Sequence, residues 1–175
     1  WSNNTTDAYR SVVTVGGNAS GYKGVSALDN GKVVVGGNVT GVACGIYASC
    51  DGECSEVEVG GNVTATAADG VGVYADNLVL VTVDGTISGN SYIVLIGFAP
   101  YGSGFNKTLT GVYTERTIPT TKTGYITYSA ANRYDHTDAN PFYVTVWVKD
   151  SSGDGTYAGS SYTAYEATVT GGGTL

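Results

Sequence analysis

The three cysteines of this sequence, Cys44, Cys50 and Cys54, lie close enough along the chain for thiol chemistry. In an oxidising compartment two of them would form a disulfide and one would be left over. A metal site built on three thiolates would still need a fourth ligand, and the only histidine, His136, lies far away in the sequence. We predict a disulfide between Cys50 and Cys54 that closes a short turn. Pairs that use Cys44, free buried thiols and a metal site are the alternatives.

Oxygen ligands with the spacing of a calcium loop occur after Lys149. Asp150, Ser152 and Asp154 occupy the first, third and fifth ligand positions, and a glycine occupies the sixth. The twelfth position, a bidentate glutamate in an EF-hand loop, is Ser161 here. The segment is therefore a candidate calcium site, with an ordinary hairpin turn as the alternative. We predict no other cofactor.

Titratable groups also cluster at Asp135, His136 and Asp138, where a hydrolase could use them. No serine or cysteine nucleophile motif accompanies this cluster, and a polar loop of this composition is more often simply solvated. We predict no catalytic residues and a protein that is not an enzyme.

The composition is that of an extracellular, all-β protein. Only 13% of the 175 residues are charged, and glycine (27) and tyrosine (14) are abundant, a balance that favours turns and strands over helices. The net charge of −7 argues against nucleic acid and anionic membranes as partners, because both need clustered Lys and Arg. No apolar run is long enough for membrane insertion. Because the chain starts at Trp1 and contains no Met, we predict a processed piece of a longer secreted protein.

An internal repeat provides the elements that must position these residues. A Val-x-Val unit occurs four times, followed by Gly-Gly-Asn in the first three copies and by Asp-Gly-Thr in the fourth. Successive copies are 20, 24 and 24 residues apart, and they begin at Val13, Val33, Val57 and Val81. A second motif, Gly-Val/Ile-x-Ala, lies between them at Gly24–Ala27, Gly45–Ala48 and Gly72–Ala75.

A repeat of 20 to 24 residues is too short for a strand plus a helix, but long enough for one coil of a three-sided β-helix. We therefore predict an all-β fold, a right-handed parallel β-helix (solenoid) of about four coils over residues 11–96. An antiparallel sandwich of repeated hairpins is the alternative. Stacked coils would bury two columns of side chains: Val25, Ile46 and Val73, and Ala27, Ala48 and Ala75.

The Gly-Gly-Asn segments are expected to form corners of the coils. Glycine adopts positive φ angles without strain, and asparagine tolerates the left-handed region. In stacked coils Asn18, Asn38 and Asn62 would lie above one another as a ladder of amides, which Thr86 would interrupt.

Residues 97–167 lack the repeat and are predicted to form a small β-rich C-terminal cap or domain, since an open solenoid end exposes strand edges. Alternation along residues 143–148 predicts a strand with buried valines on one side and with Tyr143, Thr145 and Trp147 on the other. Residues 168–175 resemble the start of a further repeat. Strands are expected at Tyr125–Tyr128, Tyr143–Val148 and Tyr162–Val169.

One stretch, Val59-Gly-Gly-Asn-Val-Thr-Ala-Thr66 followed by Gly72-Val-Tyr-Ala75, resembles the β-helical repeats of large secreted or cell-wall-attached proteins of Gram-positive anaerobic bacteria. Such proteins are often described as adhesin-like. The resemblance extends over residues 11–96, about half of the chain. It implies a surface-exposed repeat module and transfers no catalytic residue.

We predict a non-enzymatic structural or binding module of a bacterial cell-surface protein, an extracellular, adhesin-like stalk or display surface. Its partner would be an unknown protein or glycan ligand, or neighbouring repeats of the same chain. A carbohydrate-active β-helix enzyme or a glycan-binding module is the alternative. An enzyme would need carboxylates gathered on one face, whereas the outward positions of the repeat are mixed: Thr14, Val34, Glu58 and Thr82.

Overall fold

The computed structural model describes residues 10–96, 122–131, 143–150, 161–162 and 166–174. Within these ranges, side chains are described except at residues 50–54, 77–78, 129–131, 143, 161–162 and 166–174. Every regular element in the described ranges is a β-strand, which confirms the all-β prediction. Among these residues, no helix has the length and apolar character needed to cross a membrane.

Eleven strands lie in the described ranges, and hydrogen bonds join them into one sheet. In chain order they are β1 (Val12–Val15), β2 (Ala19–Leu28), β3 (Lys32–Val35), β4 (Val39–Val59), β5 (Val63–Ala65), β6 (Val71–Val83), β7 (Ile87–Ile96), β8 (Tyr125–Ala131), β9 (Tyr143–Lys149), β10 (Ser161–Tyr162) and β11 (Glu166–Thr174). The longest strand, β4, pairs with β2, β3, β5 and β6 at different points along its length. It therefore contributes to every side of its coil.

The strands of the Val-x-Val units pair in parallel and in register. β1 pairs with β3, β3 with residues 56–59 of β4, and these with residues 80–83 of β6. We call this sheet the first face. Such stacking of parallel coils confirms the solenoid and excludes the antiparallel sandwich. Four strands enclose three coil-to-coil steps, so the solenoid has about three turns where the sequence predicted about four coils.

A second long sheet carries the core columns that the repeat predicted. We call it the second face, and it consists of residues 25–28, 46–49, 73–76 and 93–96. Both predicted columns are confirmed, since their members pair in register and are buried. The columns continue into the last coil at Ile93 and Leu95. Burial of each large aliphatic side chain stabilises the fold by about 1.5–3 kcal/mol. Because these side chains lie opposite each other in adjacent coils, the core is formed by the stack of coils and not by any single coil.

The Gly-Gly-Asn corner needs glycine for space and not for backbone conformation. A Cβ atom at Gly61 would lie 2.5 Å from Asn38 Oδ1 and 2.7 Å from the carbonyl oxygen of Gly37, closer than real contacts allow. Positive φ angles occur instead at Asp29 (38°) and Asn30 (62°). These two residues turn the chain between β2 and β3, where the left-handed region favours Asn and Asp. The prediction that the corner depends on positive φ was therefore wrong, because close stacking of the coils decides the residue type there.

β9 continues the first face beyond the last coil. It pairs in parallel with β6, so that Val146 lies opposite Val81 and Val148 opposite Val83. Its valines are buried, as the alternation predicted, but Thr145 on the other side of the strand is buried as well. β8 pairs with β9 in antiparallel orientation. Both strands begin at the residues that the sequence predicted.

β11 lies against the last coil on the second face. It pairs with β7 in antiparallel orientation, with Ala167 opposite Leu95 and Val169 opposite Ile93. The coils of the solenoid pair in parallel, so β11 runs in a different direction from a repeat strand. The domain boundaries, 97–167 and 168–175, stay predictions.

The stacking predicts unequal effects of the same substitution within one column. Val81→Ala should destabilise the protein by about 2 kcal/mol, because Val81 is fully buried between coils and its truncation leaves a cavity. Val13→Ala is the matched control, since Val13 holds the same position in the first coil and is 54% exposed. Urea denaturation would measure both changes. Equal losses for the two variants would contradict the stacked core.

Candidate functional site

The outward side chains of the first face form the most developed polar surface in the described part of the chain. Alternation turns the valines of each Val-x-Val unit inward and the residues between and beside them outward. We call this surface the outer strip. It consists of Arg10, Lys32, Glu56, Glu58, Thr82, Asp84, Lys122, Tyr125 and Trp147.

One half of the outer strip is an ionic network that crosses coils. The Lys32 ammonium lies 2.7 Å from Glu58 Oε1 and 3.2 Å from Glu56 Oε1. The Arg10 guanidinium lies 3.0 Å from the second oxygen of Glu56. Parallel register creates this network, because Lys32 pairs directly with Glu56. Two carboxylates are thus held on one ammonium group.

The network shifts the pKa values of Lys32 and Glu58 so that the charged form of each side chain is favoured. The hydrogen bond from Lys32 lowers the pKa of Glu58, and the same bond raises the pKa of Lys32. The Glu58 side chain is 42% exposed, so solvent screens the interaction. Its contribution to stability is therefore about 0.5 kcal/mol or less.

The other half of the outer strip is cationic and aromatic. A turn from Lys122 to Tyr125, closed by a 3.0 Å hydrogen bond and with φ +81° at Gly124, folds Lys122 back over β8. The Lys122 ammonium donates to Thr82 Oγ1 at 3.2 Å. It also lies 4.4 Å from the ring centre of Tyr125 and 5.8 Å from that of Trp147, within the range of cation–π attraction.

A hydrogen bond ties Tyr125 to the last coil of the solenoid. Its hydroxyl donates to Asp84 Oδ1. This bond, with partial burial as the next cause, raises the pKa of Tyr125 to about 12. The phenol therefore stays protonated at neutral pH, where it acts as a donor with a fixed orientation.

The second face carries a smaller aromatic ladder. The rings of Tyr47 and Tyr74, which are opposite each other in adjacent coils, stack at 5.0 Å with 8° between their planes. Lys23 places its ammonium 3.3 Å from the ring centre of Tyr47. The ladder extends along the stack in the same direction as the outer strip, on a different side of each coil.

The corner asparagines link each coil to the next through the backbone. Asn18 Oδ1 accepts the N–H of Asn38 at 2.8 Å, and Asn38 Oδ1 accepts the N–H of Asn62 at 2.8 Å. Asn62 Oδ1 accepts both the N–H and the hydroxyl of Thr86, at 2.9 and 3.0 Å. The described series of corner bonds therefore ends at Thr86, whose side-chain hydroxyl donates to Asn62 of the preceding coil.

Cys44 is a free, buried thiol. Its Sγ donates to the carbonyl oxygen of Ile46 at 2.8 Å, and burial raises the pKa of the thiol to about 11. Such a thiol is unreactive at neutral pH. Cys50 and Cys54 lie in β4, but their side chains are outside the described residues, so their disulfide stays a prediction. The register between β4 and β6 shifts between Cys50 and Ser55, where β4 has four residues and β6 has one.

Only part of the candidate calcium site lies in the described ranges. Asp150 follows β9, and its N–H donates to the carbonyl oxygen of Gly124 at 2.9 Å. Ser152 and Asp154 lie outside the described residues, as do His136 and its acidic neighbours. The calcium site stays a prediction. Within the ranges that the structure describes, no group of three or more His, Cys, Asp or Glu side chains is arranged to hold a metal ion.

The outer strip was largely missed from the sequence. The residues between the two valines of each unit (Thr14, Val34, Glu58 and Thr82) are of mixed types and give no sign of the charged residues beside them. Aligning the residue that precedes each Val-x-Val unit places Lys32 beside Glu56, and this signal could have found the ionic network. No comparable signal connects Lys122 with Thr82, which is 40 residues away.

Comparison with known proteins leaves function to be argued from this geometry. No protein-family model, no curated protein and no solved structure matches the chain.

The asparagine ladder predicts that the acceptor atom matters more than the amide. Asn38→Ala removes the partner of the Asn62 N–H and should lower stability by about 1 kcal/mol. Asn38→Asp keeps an oxygen acceptor at the same place and should retain most of the stability at neutral pH. Guanidinium denaturation of both variants would test this. Equal losses would show that the ladder bond contributes nothing.

The Tyr125–Asp84 bond predicts a phenol that titrates late. Subtracting the ultraviolet titration of Tyr125→Phe from that of the parent should isolate one group with a midpoint of about 12. Asp84→Ala should return the midpoint toward about 10, the ordinary value for tyrosine, whereas Asp69→Ala, a matched loss of charge elsewhere, should not. Since the folded-state pKa is raised, the stability from this bond is present below pH 10 or so and is lost as pH rises through about 12. An unchanged midpoint in Asp84→Ala would contradict the assignment.

Proposed function

We propose that this chain is a non-enzymatic structural and binding module of a bacterial cell-surface protein, and that it works outside the cell. The solenoid would serve as a rigid stalk that displays the outer strip to an external protein or glycan. The observation that carries this proposal is the registration of outward side chains. Lys32 and Glu56, and likewise Tyr47 and Tyr74, meet because adjacent coils place them opposite each other.

Rigidity supports a display role. The inward columns of both faces are closed to solvent through the middle coils, and each coil is hydrogen-bonded to its neighbours along both faces. Side chains that are already held by their neighbours lose little conformational entropy when a ligand binds. A surface of this kind suits recognition better than a surface of independent, mobile side chains.

We also propose that the C-terminal strands cap the solenoid. β9 occupies the next strand position on the first face, and β11 covers β7 on the second. An uncovered last coil would present unpaired N–H and C=O groups that favour aggregation. Antiparallel pairing by β8 and β11 ends the series of parallel coils on both faces.

The aromatic half of the outer strip suits a glycan. Tyrosine and tryptophan rings pack against the apolar faces of sugars, and nearby polar groups hydrogen-bond to their hydroxyls. Tyr125 and Trp147 are partly exposed there, beside Lys122. Tyr128 is buried in the core, so not every tyrosine of the second half serves this purpose. Five further tyrosines of the second half have side chains outside the described residues: Tyr134, Tyr143, Tyr157, Tyr162 and Tyr165.

A carbohydrate-active enzyme is the second candidate, because Glu56 and Glu58 bring two carboxylates to one face. Glycoside hydrolysis needs one of its carboxyl groups as a proton donor with a raised pKa. Lys32 instead lowers the pKa of Glu58. The pair is better suited to an ion-pair network than to acid catalysis, and this favours the binding module.

Binding assays with the full chain would test the proposal. The parent should bind at least one class of glycan or host matrix protein, presented on an array and on coated sensors. Trp147→Ala and Lys122→Ala should weaken that binding about tenfold or more, since contact aromatic and cationic residues dominate such interfaces. Tyr22→Ala is the control, because Tyr22 is 72% exposed on another part of the chain.

Two outcomes would contradict the proposal in different ways. Absence of binding to every glycan and matrix protein would leave only the stalk role. Release of reducing sugar from a bound glycan, lost in Glu58→Gln, would favour the enzyme instead. Unchanged denaturation midpoints in the variants would show that lost binding does not result from unfolding.

A further inference from the structure

The first coil has corner glycines that none of the described residues around them requires. Later coils need theirs, because a Cβ atom at Gly37 would lie 2.4 Å from Asn18 Oδ1 and one at Gly61 would lie 2.5 Å from Asn38 Oδ1. Gly17 holds the same position in the first coil, yet nothing lies within 4 Å of the place where its Cβ would be. Among the described residues, the side of Gly17 that faces away from the second coil is open.

The same side of the first coil exposes its core column. Val13 is 54% exposed, whereas the equivalent Val33 and Val57 are 9% and 0% exposed. β1 ends the order of the sheet and pairs only with β3 among the described strands. Among the described strands, one edge of β1 therefore has apolar surface and backbone groups with no strand beside them.

The corner hydrogen bonds also indicate an open position beside the first coil. The corner N–H groups of Asn38, Asn62 and Thr86 each donate to a side-chain oxygen of the preceding corner. The N–H of Asn18 is the equivalent donor in the first coil, and no described coil lies on that side of it. Its own Oδ1 is already used by Asn38.

We infer that this side of the first coil is a docking surface for one further parallel coil of the same Gly-Gly-Asn type, joined to the same polypeptide. The surface consists of the free edge of β1, Gly16, Gly17 and the N–H of Asn18. The incoming corner asparagine fills the space beside Gly17 and accepts the N–H of Asn18. The valines of the incoming coil cover Val13. This inference rests on the proposed structural role and specifies the partner that a repeat stalk would place there.

A second copy of the chain does not meet these requirements. Its last coil is paired with β9 and β11, so the described residues of that end offer no free parallel strand. Its first coil could reach the surface only head to head, in antiparallel orientation. In that orientation the partner's corner oxygen would be turned toward its own second coil, as Asn18 Oδ1 is here.

Duplication of one coil tests the inference without any outside ligand. A copy of residues 12–31 inserted directly before Val12 keeps the repeat register, because Val12 and Lys32 are equivalent positions. It adds no cysteine. The amides of the original β1 should then exchange with solvent at least tenfold more slowly than in the parent, since they gain a strand beside them.

Gly17→Ala provides the decisive comparison. In the parent it should leave the denaturation midpoint nearly unchanged, because the site is open. In the duplicated chain the same substitution should raise the unfolding equilibrium constant at least tenfold, as Gly37→Ala should in the parent. A Gly17→Ala change that is tolerated equally in both chains would overturn the inference.

Further outcomes separate this inference from the proposed function. Insertion of residues 56–79 before Val12 also keeps the register, since Glu56 and Leu80 are equivalent. Failure of both insertions to fold would overturn the inference, as would a parent dimer that duplication abolishes. Tolerance of Gly37→Ala would overturn the stacking argument itself. Loss of glycan binding in the outer-strip variants bears only on the proposed function.

Discussion

The distance between neighbouring strands, about 4.8 Å, sets both the core and the surface of this solenoid. Each coil must lie that far above the coil before it, at every side and at every corner. At the second glycine of the corner (Gly37, Gly61 and Gly85) this leaves no room for a side chain, because the asparagine of the preceding coil occupies the space. Along the faces the same distance brings equivalent valines and isoleucines into contact, and their columns exclude water.

The surface follows from the same constraint. Outward side chains of adjacent coils lie close enough to pair, so Lys32 meets Glu56 and Tyr47 stacks on Tyr74. The ionic half of the outer strip and the Tyr47–Tyr74 ladder are therefore properties of the stack, and no single coil possesses them. This explains how a chain with few charged residues builds an ionic and aromatic surface whose side chains are held by their neighbours.

The two ends of the stack are chemically different. At the C-terminal end, β9 and β11 pair with the last coil on both faces. At the N-terminal end, β1 presents Val13 and the corner Gly17 with no described strand beside them. A coil added at the C-terminal end would have to displace β9 and β11. A coil added at the N-terminal end would only cover apolar surface and pair with backbone groups of β1. Growth of the stack is therefore favoured at the N-terminal side.

Period and alternation are local properties of the chain, and they were enough to predict the parallel solenoid, the buried columns around Ile46 and Ala48, and the starts of β8 and β9. The folded structure was needed to show why the corner is glycine, which way β11 runs, and that Lys122 approaches Thr82 and Trp147. Each of these depends on register between segments that are 20 or more residues apart. Such register is established when the coils stack, and no short stretch of sequence contains it.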